Sequence, residues 1–131
     1  MTSKLLPSVR YASAYRAHRL DALEIARRVL DAMQDVDALP VPMRAFISFS
    51  GADVAQQATR SATRYAAGQQ LGPLDGVPVA IKDNVDVSGY RSTSGTQLLG
   101  RQPATRDSAV AARLKKAGAL ILGKTNMHEL A

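Results

Sequence analysis

Two short runs in this chain contain no polar residue at all: Val77-Pro78-Val79-Ala80-Ile81 and Ala119-Leu120-Ile121-Leu122. A run of that length is too short for a helix of its own, and it has no face to offer water. Such runs read as strands buried in a sheet. Pro78 stands near the start of the first, where a missing N–H is tolerated. Helical patterns separate them from their neighbours. Leu20, Leu23, Ala26, Leu30 and Met33 recur at spacings of three and four, which predicts a helix over 21–36 with Asp21 and Glu24 at capping-box spacing. Ala45-Phe46-Ile47-Ser48-Phe49 reads as a further strand. Ser50 can cap a second helix with Val54, Ala58, Ala62 and Tyr65 inward, Gln57, Arg60 and Arg64 outward, and Gly68 as its stop. Asp107 is expected to cap a third, with Val110, Leu114 and Ala117 inward and Gly118 just past its end. Asn126 followed by Glu129 predicts the opening of a fourth. This alternation predicts an α/β fold, with helices packed on a mixed or partly parallel sheet.

Composition narrows the function classes. The 131 residues are about one domain's worth, 46% of them hydrophobic, so a core can form. There is no cysteine, which removes disulfide scaffolds, thiolate metal sites and cysteine nucleophiles, and suits a cytoplasmic protein. The N-terminal stretch Met1–Pro7 has no sustained apolar segment, so no signal peptide is expected. The apolar runs are far too short to span a bilayer, so no membrane role is expected. Net charge is +6, yet the arginines are scattered and the longest basic runs are the pairs Arg27-Arg28 and Lys115-Lys116. With two Phe, four Tyr and no Trp there is little to stack on bases. The charge reads as a solvated surface, and a nucleic-acid partner is not expected.

Two motifs fail their context tests. Gly118-Ala119-Leu120-Ile121-Leu122-Gly123-Lys124-Thr125 matches the phosphate-loop pattern letter for letter. That pattern needs a loop after a strand, whereas these residues are strand-forming and follow a helix. Their N–H groups belong in a sheet ladder. His128-Glu129 could begin a zinc-protease helix, but the second histidine would lie beyond residue 131, so His128 reads as an ordinary helix residue, and His18 has no partner pattern. Neither a metal nor a cofactor is expected. Lys82 is different. It ends an apolar run directly, and strand ends are where α/β sheets build sites. Its alternative is an ordinary exposed lysine, or one paired with Asp83. Burial would disfavour its ammonium and suit it to general-base work. The irregular stretch from Asp86 to about Arg106 is long enough to be functional or to wrap a neighbour.

The motifs around Lys82 carry a resemblance. Residues 72–89, from Gly72-Pro73-Leu74-Asp75-Gly76 through Val85-Asp86-Val87-Ser88-Gly89, resemble the opening motif of the amidase-signature family. Ser92-Thr93-Ser94-Gly95-Thr96, Arg106-Asp107-Ser108-Ala109-Val110 and the stretch Ala117–Ala131 are similar to further family motifs, in the same order. The resemblance runs from about residue 9 onward. It implies a hydrolase of linear amides working through a Ser–cis-Ser–Lys triad, with Lys82 as the lysine. Neutral lysine would take a proton from the bridging serine, which takes one from the nucleophile. The resemblance places both triad serines, and the glycine-rich loop that forms the oxyanion hole, beyond residue 131. None of Ser88, Ser92, Ser94 or Ser108 stands at a triad position. Residues 1–131 are therefore expected to form a single partial domain, inactive alone. In the complete enzyme the expected partner is a small-molecule amide, with room for a homo-oligomer. The alternatives are a truncated product acting as an interaction module, a remnant without function, and a fragment of the A subunit of a tRNA-dependent amidotransferase.

Overall fold

The computed structural model describes residues 8–130; Met1–Pro7, where no signal peptide is expected, lie outside them. The element order is α1 (Ser8–Arg16), α2 (Ala22–Asp37), β1 (Phe46–Phe49), α3 (Gly51–Ala66), β2 (Pro78–Lys82), α4 (Ala109–Lys116) and β3 (Leu120–Thr125). The last strand in sequence is the middle strand of the sheet, in the order β1-β3-β2. β2 and β3 are parallel and joined through α4, as a parallel pair requires. β1 pairs with β3 antiparallel. The expected α/β fold with a mixed sheet is what the chain forms.

Alternation along β3 builds two cores. Leu120 and Leu122 face the helices, where they meet Ala26 of α2 with Val54 and Ala58 of α3. Ile121 faces the other way, into Ile81, Val87, Ala111 and Ala119. Leu120 and Ile121 are almost wholly buried, each contributing about 1.5–3 kcal/mol. The small residues Ala26, Ala58 and Ala111 let the helices approach closely. In α2 the buried residues are Ala22, Ile25, Ala26 and Met33, so Leu23 is turned out to 40% exposure. The expected stripe holds at Leu20, Ala26, Leu30 and Met33, with Ile25 and Val29 packed on the core where Leu23 was expected.

Several expectations need correcting. The apolar run Val77–Ile81 is not covered on both faces: β2 is an edge strand, with Val77 and Ile81 buried and Ala80 exposed. The α4 cap is Ser108, whose hydroxyl accepts from Ala111 N–H; Asp107 instead accepts from Ser88 N–H and Lys115 Nζ, each at 2.7 Å. Ala111 is the buried residue of α4, which leaves Val110 55% exposed. Asn126 opens no helix among the described residues; its side chain accepts from Met127 N–H, and the chain runs through a bend and turn to Leu130. Gln57 does not face solvent. Its amide donates to Ile121 O and accepts from Ile121 N–H, extending the ladder where β1 has ended. Helix α1 carries no strong sequence signal. It is held by tertiary packing, with Tyr11 and Tyr15 buried and the Tyr15 hydroxyl donating to Gly76 O.

The connector before β2 is fastened by Asp75, which is fully buried. Its carboxylate accepts from Arg64 Nε and Nη2 at 2.8 and 2.6 Å, Ser61 Oγ at 2.8 Å and Leu71 N–H at 3.0 Å. Burial alone would raise the carboxyl pKa. The Arg64 guanidinium, the Leu71 amide and the Ser61 hydroxyl more than offset that and hold it below the usual carboxylate range. Gly118 lies against it: a Cβ there would meet the Asp75 carboxylate at 2.8 Å, at a φ of +83°. Asp75→Asn should cost about 3 kcal/mol in urea denaturation at pH 7, because it leaves the Arg64 charge uncompensated. The lowered pKa sets the sign of the pH effect. The wild-type contribution is complete above the unfolded carboxylate pKa of about 4 and is lost as pH falls through the folded value. The gap between wild type and variant should therefore shrink in acid.

Candidate functional site

The expected site residue, Lys82, is the last residue of β2, and its side chain is exposed. It lies opposite Thr125 in the parallel ladder. Its carbonyl accepts from Val85 N–H at 3.0 Å, closing a tight turn through Asp83 and Asn84. The described residues do not bury its amine. Nor is it paired with Asp83, since that carboxylate belongs to another lysine.

That lysine is Lys124, a member of the phosphate-loop pattern. It lies in β3, where a ladder and not a loop is formed, and its side chain runs into the interior. Two sequence positions bring it there. Val79 lies opposite Ile121 and Ala80 opposite Gly123, so β3 carries one extra residue, a bulge at Leu122–Gly123. Without the bulge, Lys124 would follow Leu120 and Leu122 onto the helix-covered face. With it, Lys124 lies opposite Ile81 and shares that residue's face, beneath the loop 83–95. Gly123 is required at this point. Its φ is +150°, and a Cβ would come within 2.4 Å of Ser48 O and 2.9 Å of Phe49 Cα.

Lys124 and Asp83 are both 0% exposed. Lys124 Nζ donates to Ser92 Oγ at 2.8 Å, Arg91 O at 3.1 Å and Asp83 O at 3.3 Å, and faces Asp83 Oδ1 at 3.5 Å. Asp83 Oδ2 accepts from Thr93 N–H at 3.0 Å, Gly95 N–H at 3.2 Å and the Thr93 hydroxyl. Burial pushes the Lys124 pKa below the ordinary lysine value, against the opposing pull of the Asp83 charge. Sequence reasoning missed this pair. The available signal was a lysine inside an otherwise apolar strand, a position that demands a buried counter-charge. Of the serines set aside from the triad, Ser92 touches Lys124, Ser108 caps α4, Ser88 donates from its N–H to Asp107 and from its hydroxyl to Thr105 O, and Ser94 accepts through its carbonyl.

Residues 43–131 match the family profile described as Amidase. The chain belongs to the amidase family. It is 39% identical to the A subunit of the glutamyl-tRNA(Gln) amidotransferase from Heliobacterium modesticaldum, over 86% of this chain and 22% of that protein. It is 40% identical to mandelamide hydrolase of Pseudomonas putida, over 92% of this chain and 23% of that protein. Its backbone follows native peptide amidase from Stenotrophomonas maltophilia with a TM-score of 0.91 at 26% identity, covering 99% of this chain and 26% of that one. The chain thus spans about a quarter or less of the amidases and amidotransferase it matches. No helix among the described residues is long and apolar enough to cross a membrane, and no group of three or more metal-ligating side chains occurs among them.

Gly123→Ala tests the bulge that carries Lys124 to its face. The substitution should destabilise the chain by about 2–3 kcal/mol in denaturant titration, through the backbone collision with β1. Amide exchange should quicken most around Ser48 and Phe49.

Proposed function

We propose that this chain supplies the lysine-bearing part of an amide-cleaving site, with Lys82 as its general base. The observation that carries the reading is the placement of Lys82. It is an exposed lysine at the carboxyl end of a parallel strand, inside a segment that matches the amidase family. A lysine contributing only to stability would gain more from a packed or paired position. In the proposed reaction a serine Oγ attacks the carboxamide carbon, and its proton passes through a bridging serine to neutral Lys82. The nitrogen leaves as amine or ammonia with a proton returned to it, and water cleaves the resulting acyl ester. The serines, the oxyanion donors and the surface that would desolvate Lys82 belong, in this reading, to chain outside these residues. Residues 1–131 then form one part of a larger domain. The outer edges of β1 and β2, unpaired among the described residues, are where that remainder or a second copy could add strands.

The substrate is a carboxamide. Relatives of nearly equal identity bear the names of a mandelamide hydrolase and of one subunit in an amidotransferase, so similarity alone favours neither chemistry. The experiment pairs an activity assay with a stability measurement. Purified 1–131 should show no turnover of simple aryl and aliphatic amides above buffer. Lys82→Met should leave the unfolding free energy in urea within about 0.5 kcal/mol of wild type, as for an exposed side chain without a structural partner. Lys82-dependent turnover by 1–131 alone would refute the division of the site. A large loss of stability in Lys82→Met would make the lysine structural.

A further inference from the structure

The buried pair behind Lys82 has no part in the proton transfers proposed above, yet it is costly to build. A buried ion pair is weak evidence for stability, because apolar residues of the same volume often serve as well. One functional reading fails on geometry. Lys124 and Ser92, 2.8 Å apart, have the spacing of a base and its nucleophile. But the three protons of Lys124 already have three acceptors, in Asp83 O, Arg91 O and Ser92 Oγ, and none of the side chain reaches solvent. An ammonium held in this way has no lone pair to offer.

We infer that Lys124 and Asp83 are positioning residues for Lys82, an inference that rests on the reading of Lys82 as the base. Asp83 is the next residue in the chain. Lys124 holds its carbonyl and faces its carboxylate, while the other carboxylate oxygen ties down Thr93 and Gly95. The peptide that follows Lys82 is thereby gripped through both main chain and side chain, and the turn is closed by Val85 N–H on Lys82 O. Gly95 extends the grip to the end of β3: a Cβ there would lie 2.7 Å from Met127 O, and Leu130 N–H donates to Ser94 O at 2.9 Å. The ends of the two parallel strands and the loop 91–95 are thus one junction. Lys124 is in register with Ile81, and Lys82 with Thr125, so the two lysines lie on opposite faces of the sheet. The clamp fixes the strand end from behind and leaves the space around the Lys82 amine open to substrate and serines.

Amide hydrogen exchange by NMR on the 131-residue chain tests this. Lys124→Met keeps the side-chain volume and removes the charge. Protection at Val85, Thr93 and Gly95 should fall at least tenfold, while Leu120 and Ile121 in the middle of β3 stay within twofold of wild type. The Thr93 and Gly95 amide protons, which donate to a carboxylate, should also move upfield. Asp83→Asn, which keeps an acceptor oxygen in place, should give the same local loss, and it decides the matter if Lys124→Met fails to fold. Unchanged protection at the three junction amides overturns the inference. So does a uniform loss that includes β3, or unfolding of both variants, because the pair would then be a general stabiliser. Exchange is independent of any reaction at Lys82. A failure of Lys82 as base would appear in the turnover of a complete enzyme carrying Lys82→Met and leave these amides as they are, so the two failures are distinguishable.

Discussion

The bulge at Leu122–Gly123 is the constraint on which the rest of this structure turns. A strand of six residues cannot cover two cores and carry a buried charge on a fixed alternation. Leu120, Ile121 and Leu122 serve the helix face and the α4 face in turn. One extra residue then resets the alternation, so that Lys124 emerges beside Ile81 beneath the loop 83–95. The close approach of β1 that accompanies it leaves room only for glycine at 123. Loop anchorage and the turn after Lys82 follow from that irregularity.

Strand β2 illustrates how polar burial can replace apolar burial. It is an edge strand with half-covered faces, and hydrophobic contact alone would hold it weakly. A buried carboxylate secures each end. Asp75 ties its approach to α3 through Arg64 and Ser61, and Asp83 ties its exit to β3 through Lys124. Both carboxylates are wholly removed from solvent, and each has a cation and at least two amide or hydroxyl donors. The strand between them is held at fixed ends, which suits the role proposed for Lys82 at its last position.

Much of this was legible in the sequence. The apolar runs, the caps at Asp21 and Ser50 and the stop at Gly68 fix elements locally, and local chemistry is what a sequence displays. The motifs from Gly72 onward pointed to the family. What the sequence concealed was long-range. Nothing near Gln57 says that its amide will stand in for a missing strand at Ile121, and nothing near Asp83 says that its counter-charge lies at position 124. The apolar run Val77–Ile81 suggested a central strand because composition records hydrophobicity but not neighbours. Asn126 carried the spacing of a helix cap, yet its side chain accepts from the adjacent Met127 N–H, and Leu130 N–H is drawn to Ser94 O, a long-range bond that nothing near Asn126 signals.

We propose Lys82, held by this junction, as the base of an amide-cleaving site. The most direct measurement replaces the matching stretch of Pseudomonas putida mandelamide hydrolase with residues 1–131 and follows mandelamide turnover with and without Lys82→Met. The chimera should hydrolyse the amide, and its methionine variant should be at least about 10³-fold slower in kcat with unchanged stability. A methionine variant that turns over as fast as its parent would contradict it.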